Sequence, residues 1–99
     1  MSEKYILDAN GNPVPEENLL RWGKWFETAD RTVANDTIGA VRVSTVFLGL
    51  DHAFGGGPPM LFETMIFGGV HDEFQQRYST REQAIAGHAQ AIDLVDGVG

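Results

Sequence analysis

Three consecutive glycines followed by two prolines, Gly55-Gly56-Gly57-Pro58-Pro59, separate two β-rich runs at 41–50 and 60–67. Glycine adopts positive φ at little cost, and proline fixes φ and removes a backbone donor. Neither a helix nor a central strand can pass through such a segment, so the flanks read as two strands joined by a loop. In Val41-Arg42-Val43-Ser44-Thr45 the apolar residues alternate, whereas Val46-Phe47-Leu48-Gly49-Leu50 is continuous. Alternation marks one wet face, and a continuous run marks two covered faces. The second run, Met60-Leu61-Phe62-Glu63-Thr64-Met65-Ile66-Phe67, is apolar on both faces apart from Glu63 and Thr64. This predicts a sheet with helices on one side and a further helix or a second copy of the chain on the other.

The remaining segments supply those helices. Tyr5-Ile6-Leu7, the turn signal Asn10-Gly11 and Val14 predict a small hairpin or extended arm. Pro15-Glu16-Glu17-Asn18 opens a first helix, with proline at the first position and acidic residues at the positive end of the dipole. Leu19, Trp22 and Phe26 share a face, Leu20 and Trp25 widen it, and the helix ends near 28–30. A short strand at 31–34 and a turn at Asn35-Asp36 follow, then a long β run over 37–50 with Gly39 as a bulge. Gly68-Gly69 ends the second run, and the polar stretch 70–78 reads as a loop. Ser79-Thr80-Arg81-Glu82 has the capping-box pattern for a second helix over about 80–95. Ile85, His88, Ala89, Ile92 and Val95 then share one face, and Asp96-Gly97 stops the helix. The expected fold class is α+β: an antiparallel three- or four-stranded sheet with two helices packed on it, residues 1–99 forming a single domain.

A domain of 99 residues has little stability to spare, which makes a homodimer or other homo-oligomer attractive. The absence of cysteine excludes disulfides, thiolate metal sites and a cysteine nucleophile, and it fits a reducing compartment. The net charge is −7 and the seven basic residues are scattered, which argues against direct binding to a nucleic-acid backbone. The acidity reads as solubility or as a surface for a basic partner. No signal peptide is visible at 1–4, and no apolar run is long enough to span a bilayer, so no membrane association is expected and the location is taken as cytoplasmic.

Few residues carry chemistry. Gly55, Gly56 and Gly57 could present backbone N–H groups to an anion, or could be a turn with unusual dihedrals. No Gly-Lys-Ser/Thr follows, so this is neither a Walker loop nor a dinucleotide fingerprint. Asp51-His52 precedes the loop and suggests acid–base work or a metal site, or else a turn-capping aspartate beside a histidine bonded to loop backbone. Glu63 sits in an apolar strand and needs a partner, with Arg42 first and Arg77 second. Thr64 adjoins it. His88 on an apolar helix face reads as a satisfied core histidine, and His71-Asp72-Glu73 resembles a metal cluster in composition alone. No metal or other cofactor is expected. No nucleophile elbow or HExxH is present, so no catalytic residue is assigned and an enzyme is the minority expectation.

The stretch Val43-Ser44-Thr45-Val46-Phe47-Leu48-Gly49-Leu50-Asp51-His52, continuing through Phe54-Gly55-Gly56-Gly57-Pro58-Pro59 to Leu61-Phe62-Glu63-Thr64-Met65, resembles a family of small bacteriophage and prophage proteins. So do Arg77-Tyr78-Ser79-Thr80, Ala84 and Gly87-His88. The resemblance implies expression in a bacterial host cytoplasm and an accessory role such as inhibition of host defence. The expected function is non-enzymatic binding of a small nucleotide-type ligand or of a host protein. Asp51, His52, Gly55, Gly56, Gly57, Glu63 and Thr64 would line the site, and Arg42 or Arg77 would meet a phosphate. The alternatives are a small hydrolase or transferase using Asp51, His52 and Glu63, or a structural or assembly factor of the virion.

Overall fold

The computed structural model describes residues 3–53 and 55–97; Met1, Ser2, Phe54, Val98 and Gly99 lie outside the described residues, and with them part of the N-terminal reading and the Phe54 position of the family resemblance. Eight elements follow one another: β1 (Tyr5–Leu7), β2 (Pro13–Pro15), α1 (Leu19–Thr28), β3 (Thr32–Ile38), β4 (Val41–Phe47), β5 (Phe62–Phe67), β6 (Gln75–Tyr78) and α2 (Arg81–Gly97). β1 and β2 form an antiparallel hairpin, and β3-β4-β5-β6 form an antiparallel meander in chain order. The α+β architecture read from the sequence is the architecture of the protein.

Several boundaries differ from the sequence expectation, each for a local reason. Asn35-Asp36 is not a turn. It lies inside β3, an exposed edge strand that tolerates polar residues, and the turn falls at Gly39-Ala40, with Gly39 at φ +60°. The 70–78 stretch is not all loop, because Gln75–Tyr78 pairs with β5 as the other edge. Helix α1 starts at Leu19 rather than at Pro15, since the Asn18 side chain accepts a hydrogen bond from the Arg21 N–H and caps it. Capping of α2 is shifted by one residue: Thr80 Oγ1 accepts from the Gln83 N–H, and Gln83 Oε1 accepts from the N–H groups of Ser79 and Thr80.

Cross-strand register sorts the sheet into two faces. Phe47 and Phe62, Thr45 and Thr64, and Val43 and Ile66 are opposed pairs on one face, and all six are buried. Helix α2 crosses this face and touches all four strands. It presents Ala84, Gly87, His88 and Ala91, not the Ile85 and Ala89 face expected from periodicity; Ile85 is 51% exposed. The bulk here comes from the sheet, so the helix must offer small residues to approach it. Gly87 is the sharpest case, because a Cβ there would fall within the Tyr78 ring. Two apolar clusters result, Phe47-Leu61-Phe62-Ala84 and Val43-Ile66-Ala91. At about 1.5–3 kcal/mol for each large side chain buried, the phenylalanines and aliphatics of these clusters are the main drive to fold.

Helix α1 packs against β1. Trp25 meets Phe47 edge to face at 5.7 Å, and Trp22 Nε1 donates to the carbonyls of Tyr5 and Gly49. Leu19 and Leu20 point outward instead of joining the core. The opposite sheet face carries Arg42, Ser44, Val46, Glu63, Met65 and Phe67, and no helix of the described residues packs over it. It is more polar than a doubly covered sheet, because the continuous apolar run outlasts β4: the strand ends at Phe47, and Leu48, Gly49 and Leu50 belong to the approach to the loop.

Candidate functional site

The glycine–proline loop stands on a well-held base. Beyond the strand ends, Leu48 N–H donates to Leu61 O at 2.7 Å and His52 N–H donates to Met60 O at 3.0 Å. The N-terminal segment pairs alongside, through Tyr5 N–H to Gly49 O and Asp51 N–H to Glu3 O. Asp51 closes the base: its Oδ1 accepts from Ala53 N–H at 2.8 Å and from Met60 N–H at 2.9 Å. Gly49 at φ +79° is needed here, since a Cβ would lie 2.7 Å from the Phe26 ring.

Above this base, Gly55, Gly56 and Gly57 hold φ of +73°, +89° and +86°, are exposed, and have no atom within 4 Å of where a Cβ would be. The glycines therefore answer to backbone conformation, not to crowding. His52 is half-buried, and its imidazole has no hydrogen-bond partner among the described residues. Asp51 is thus a loop staple, and adjacency in sequence does not make it a partner of His52.

The other residues singled out from the sequence lie elsewhere. Glu63 is on the sheet face away from α2, where its Oε2 accepts from Arg77 Nε at 2.9 Å and from Gln75 Nε2. Arg77 is its partner rather than Arg42, because register puts Glu63 opposite Arg77, while Arg42 lies opposite Phe67 and stacks on that ring at 4.4 Å. Thr64 faces α2. Asp51, His52 and the three glycines are therefore brought together at one end of the sheet. Glu63 and Arg77 form a pair on its open face, Arg42 lies at the far end of that face, and Thr64 is in the core.

A second polar constellation was not legible in the sequence beyond His88 itself. His88 Nε2 is 2.7 Å from Asp36 Oδ2, Nδ1 is 2.7 Å from Thr45 Oγ1, and Thr45 Oγ1 is 2.6 Å from Thr64 Oγ1. The Asp36 carboxylate accepts from Nε2–H, and in that neutral tautomer Nδ1 accepts from the Thr45 hydroxyl. The order carboxylate–imidazole–hydroxyl is that of a nucleophilic triad. Access decides against that chemistry: Thr45 and Thr64 are 0% exposed. The chain of hydrogen bonds instead joins α2 to β3, β4 and β5 between the two apolar clusters. His88 is a satisfied core histidine, and Asp36 was hidden by the turn reading of its segment.

The main clefts among the described residues are lined by none of Arg42, Asp51, His52, Gly55, Gly56, Gly57, Glu63, Thr64 and Arg77. One cleft, of about 410 Å³, lies at the opposite end of β4 and β5 from the loop, between the Gly68–His71 turn and the end of α2. No group of three or more His, Asp or Glu side chains among the described residues is placed to hold a metal ion. No helix of the described residues is long and apolar enough to cross a membrane. Comparison of the chain with protein-family models, with curated proteins and with solved structures gives no match.

Proposed function

We propose that this protein is a non-enzymatic binding module that docks on a partner protein through the glycine–proline loop. The observation that carries this reading is the contrast between an exposed loop and its fastened base: Asp51, the N-terminal segment and the Leu48–Leu61 and His52–Met60 hydrogen bonds all hold the base. A fastened presentation lowers the ordering cost of binding. Capture of a small nucleotide-type ligand is less well supported. Such a ligand asks for a concave site with a cation at its phosphate, whereas Gly55, Gly56 and Gly57 line no main cleft among the described residues, Pro59 of the loop only borders one on its far side, and Arg42 and Arg77 are engaged on the sheet face. A hydrolase or transferase reading asks for His52 within reach of a carboxylate, whereas Asp51 Oδ1 is held by backbone N–H groups of the loop base and Glu63 lies on the sheet face with Arg77 and Gln75.

The resemblance to phage and prophage proteins directs the search for the partner to the bacterial cytoplasm and to host-defence components. Homo-oligomerisation is proposed on narrower ground, from Val46, Met65 and Phe67 on the uncovered sheet face. The test is native mass spectrometry of the protein recovered from a defence-active host. It is compared with a variant whose residues 53–59 are replaced by a two-residue Asn-Gly turn, which antiparallel strands accept. The expected result is a protein complex that the shortened loop abolishes. A retained nucleotide, or a complex indifferent to the loop, would overturn the reading.

A further inference from the structure

We infer that the groove between β6 and α2 holds an extended segment of a partner protein, which joins the sheet as a fifth strand beside β6 and sets an apolar side chain into the groove. The site is on the sheet edge, apart from the glycine–proline loop. Strand addition of this kind draws affinity from main-chain hydrogen bonds and selectivity from the side chains that enter pockets beside the edge.

Both requirements meet at β6. It is an edge strand, paired with β5 alone among the described residues. Phe74 O accepts from Ile66 N–H and Tyr78 O accepts from Leu61 N–H, so Phe74 and Tyr78 turn their backbone toward β5. Alternation along an antiparallel strand then turns Gln76 the same way and leaves Gln75 and Arg77 with N–H and C=O facing outward. These groups are ready for a further strand. The other edge is blunted: β3 carries a bulge between Thr32 and Ala34, and its Asp36, tied to His88, is a charge on the α2 side.

The side chains of Gln76 and Tyr78 share the α2 side of the sheet, because they stand opposite Thr64 and Phe62. With Phe74 they form one wall of a groove of about 360 Å³, and Gly87, Ala91 and Leu94 of α2 form the other. The residue opposite Gln76 on an added strand projects to that same side, into the groove. No charged side chain lines the groove, and Gln76 and Gln90 are its neutral amides, so the entering side chain is apolar. The two ends of β6 are not alike: exposed Asp72 and Glu73 precede Phe74. A segment running antiparallel to β6 brings its C-terminal side there. A Lys or Arg three or four positions after the apolar residue then completes the charge match.

The probe is the peptide acetyl-Ser-Thr-Thr-Leu-Thr-Val-Lys-Lys-amide, titrated into the full isotope-labelled chain and followed by NMR. Amide exchange at Gln75 and Arg77 should slow by about tenfold or more at saturation, while exchange at Gln76, already turned to β5, stays as it was. In this register the threonines beside leucine point their N–H groups at β6, and leucine points its own away. N-methylation of the threonine after leucine should abolish binding, and N-methylation of leucine should spare it. Replacing both lysines by glutamate should weaken binding about fivefold or more, a modest effect suited to rim charges. Leu94→Lys, at a wall position 36% exposed, should abolish binding and leave exchange at Val43 and Ile66 slow. The shortened-loop variant should bind the peptide as the parent does. No saturable binding, unchanged exchange at Gln75 and Arg77, equal binding of the two N-methylated peptides or of the glutamate peptide, full binding by Leu94→Lys, or binding lost with the loop would each overturn the assignment.

Discussion

At the scale of single residues, the fold turns on a few side chains whose value is set by what faces them. Gly87 is the clearest. Glycine in an exposed helix interior costs about 1 kcal/mol relative to alanine, so Gly87→Ala would ordinarily stabilise. Here the Tyr78 ring occupies the place of the Cβ. Gly87→Ala should therefore destabilise the protein by about 1–3 kcal/mol through overpacking, measured by urea unfolding; a variant as stable as the parent would contradict the close approach of α2. Thr45 is the second case. Thr45→Val removes the hydroxyl that meets His88 Nδ1 and Thr64 Oγ1 and should cost about 1–3 kcal/mol, because buried polar groups lose their partner. A double-mutant cycle of Thr45→Val with Thr64→Val should show coupling of about 0.5 kcal/mol or more. Strict additivity would mean that the two hydroxyls do not act together.

At the scale of elements, the β4–loop–β5 unit was legible because its apolar runs and its Gly-Pro segment are unambiguous, and both helices were legible from apolar spacing. The edges were not. β3 and β6 are polar strands at the margins of the sheet, where Asn35, Asp36, Gln75 and Gln76 are exposed and leave no hydrophobic pattern to read. Their identity comes from pairing with β4 and β5, which single-strand patterning does not encode. The rotation of α2 toward Ala84 and Ala91 was equally hidden, since periodicity locates large residues and this contact is made by small ones. Of the candidate site, the loop and Asp51 were legible, but the role of Asp51 was not: its partners are backbone N–H groups on both sides of the loop. Asp51→Ala should leave the sheet intact and cost about 1–2 kcal/mol, as two modest hydrogen bonds are lost. Amide exchange should accelerate by about tenfold at Ala53 and Met60 and remain slow at Val43 and Ile66. Unchanged exchange at Met60 would show that the base does not depend on the staple.

At the scale of the whole molecule, two ends of one hairpin are built differently. One end raises an exposed loop on a base tied to the N-terminal segment, and the other closes a small cleft against α2. Between them the core is filled by aromatic and aliphatic side chains around a buried hydrogen-bonded chain. The proposed docking through the loop predicts a local contact surface. The most direct measurement is site-specific photo-crosslinking in host cells, with a benzoylphenylalanine placed at position 56 in the loop and, separately, at the exposed position 89 on α2. A discrete protein adduct from position 56 and none from position 89 is the predicted result. Adducts of equal yield from both positions, or none from the loop, would contradict a loop-borne docking function.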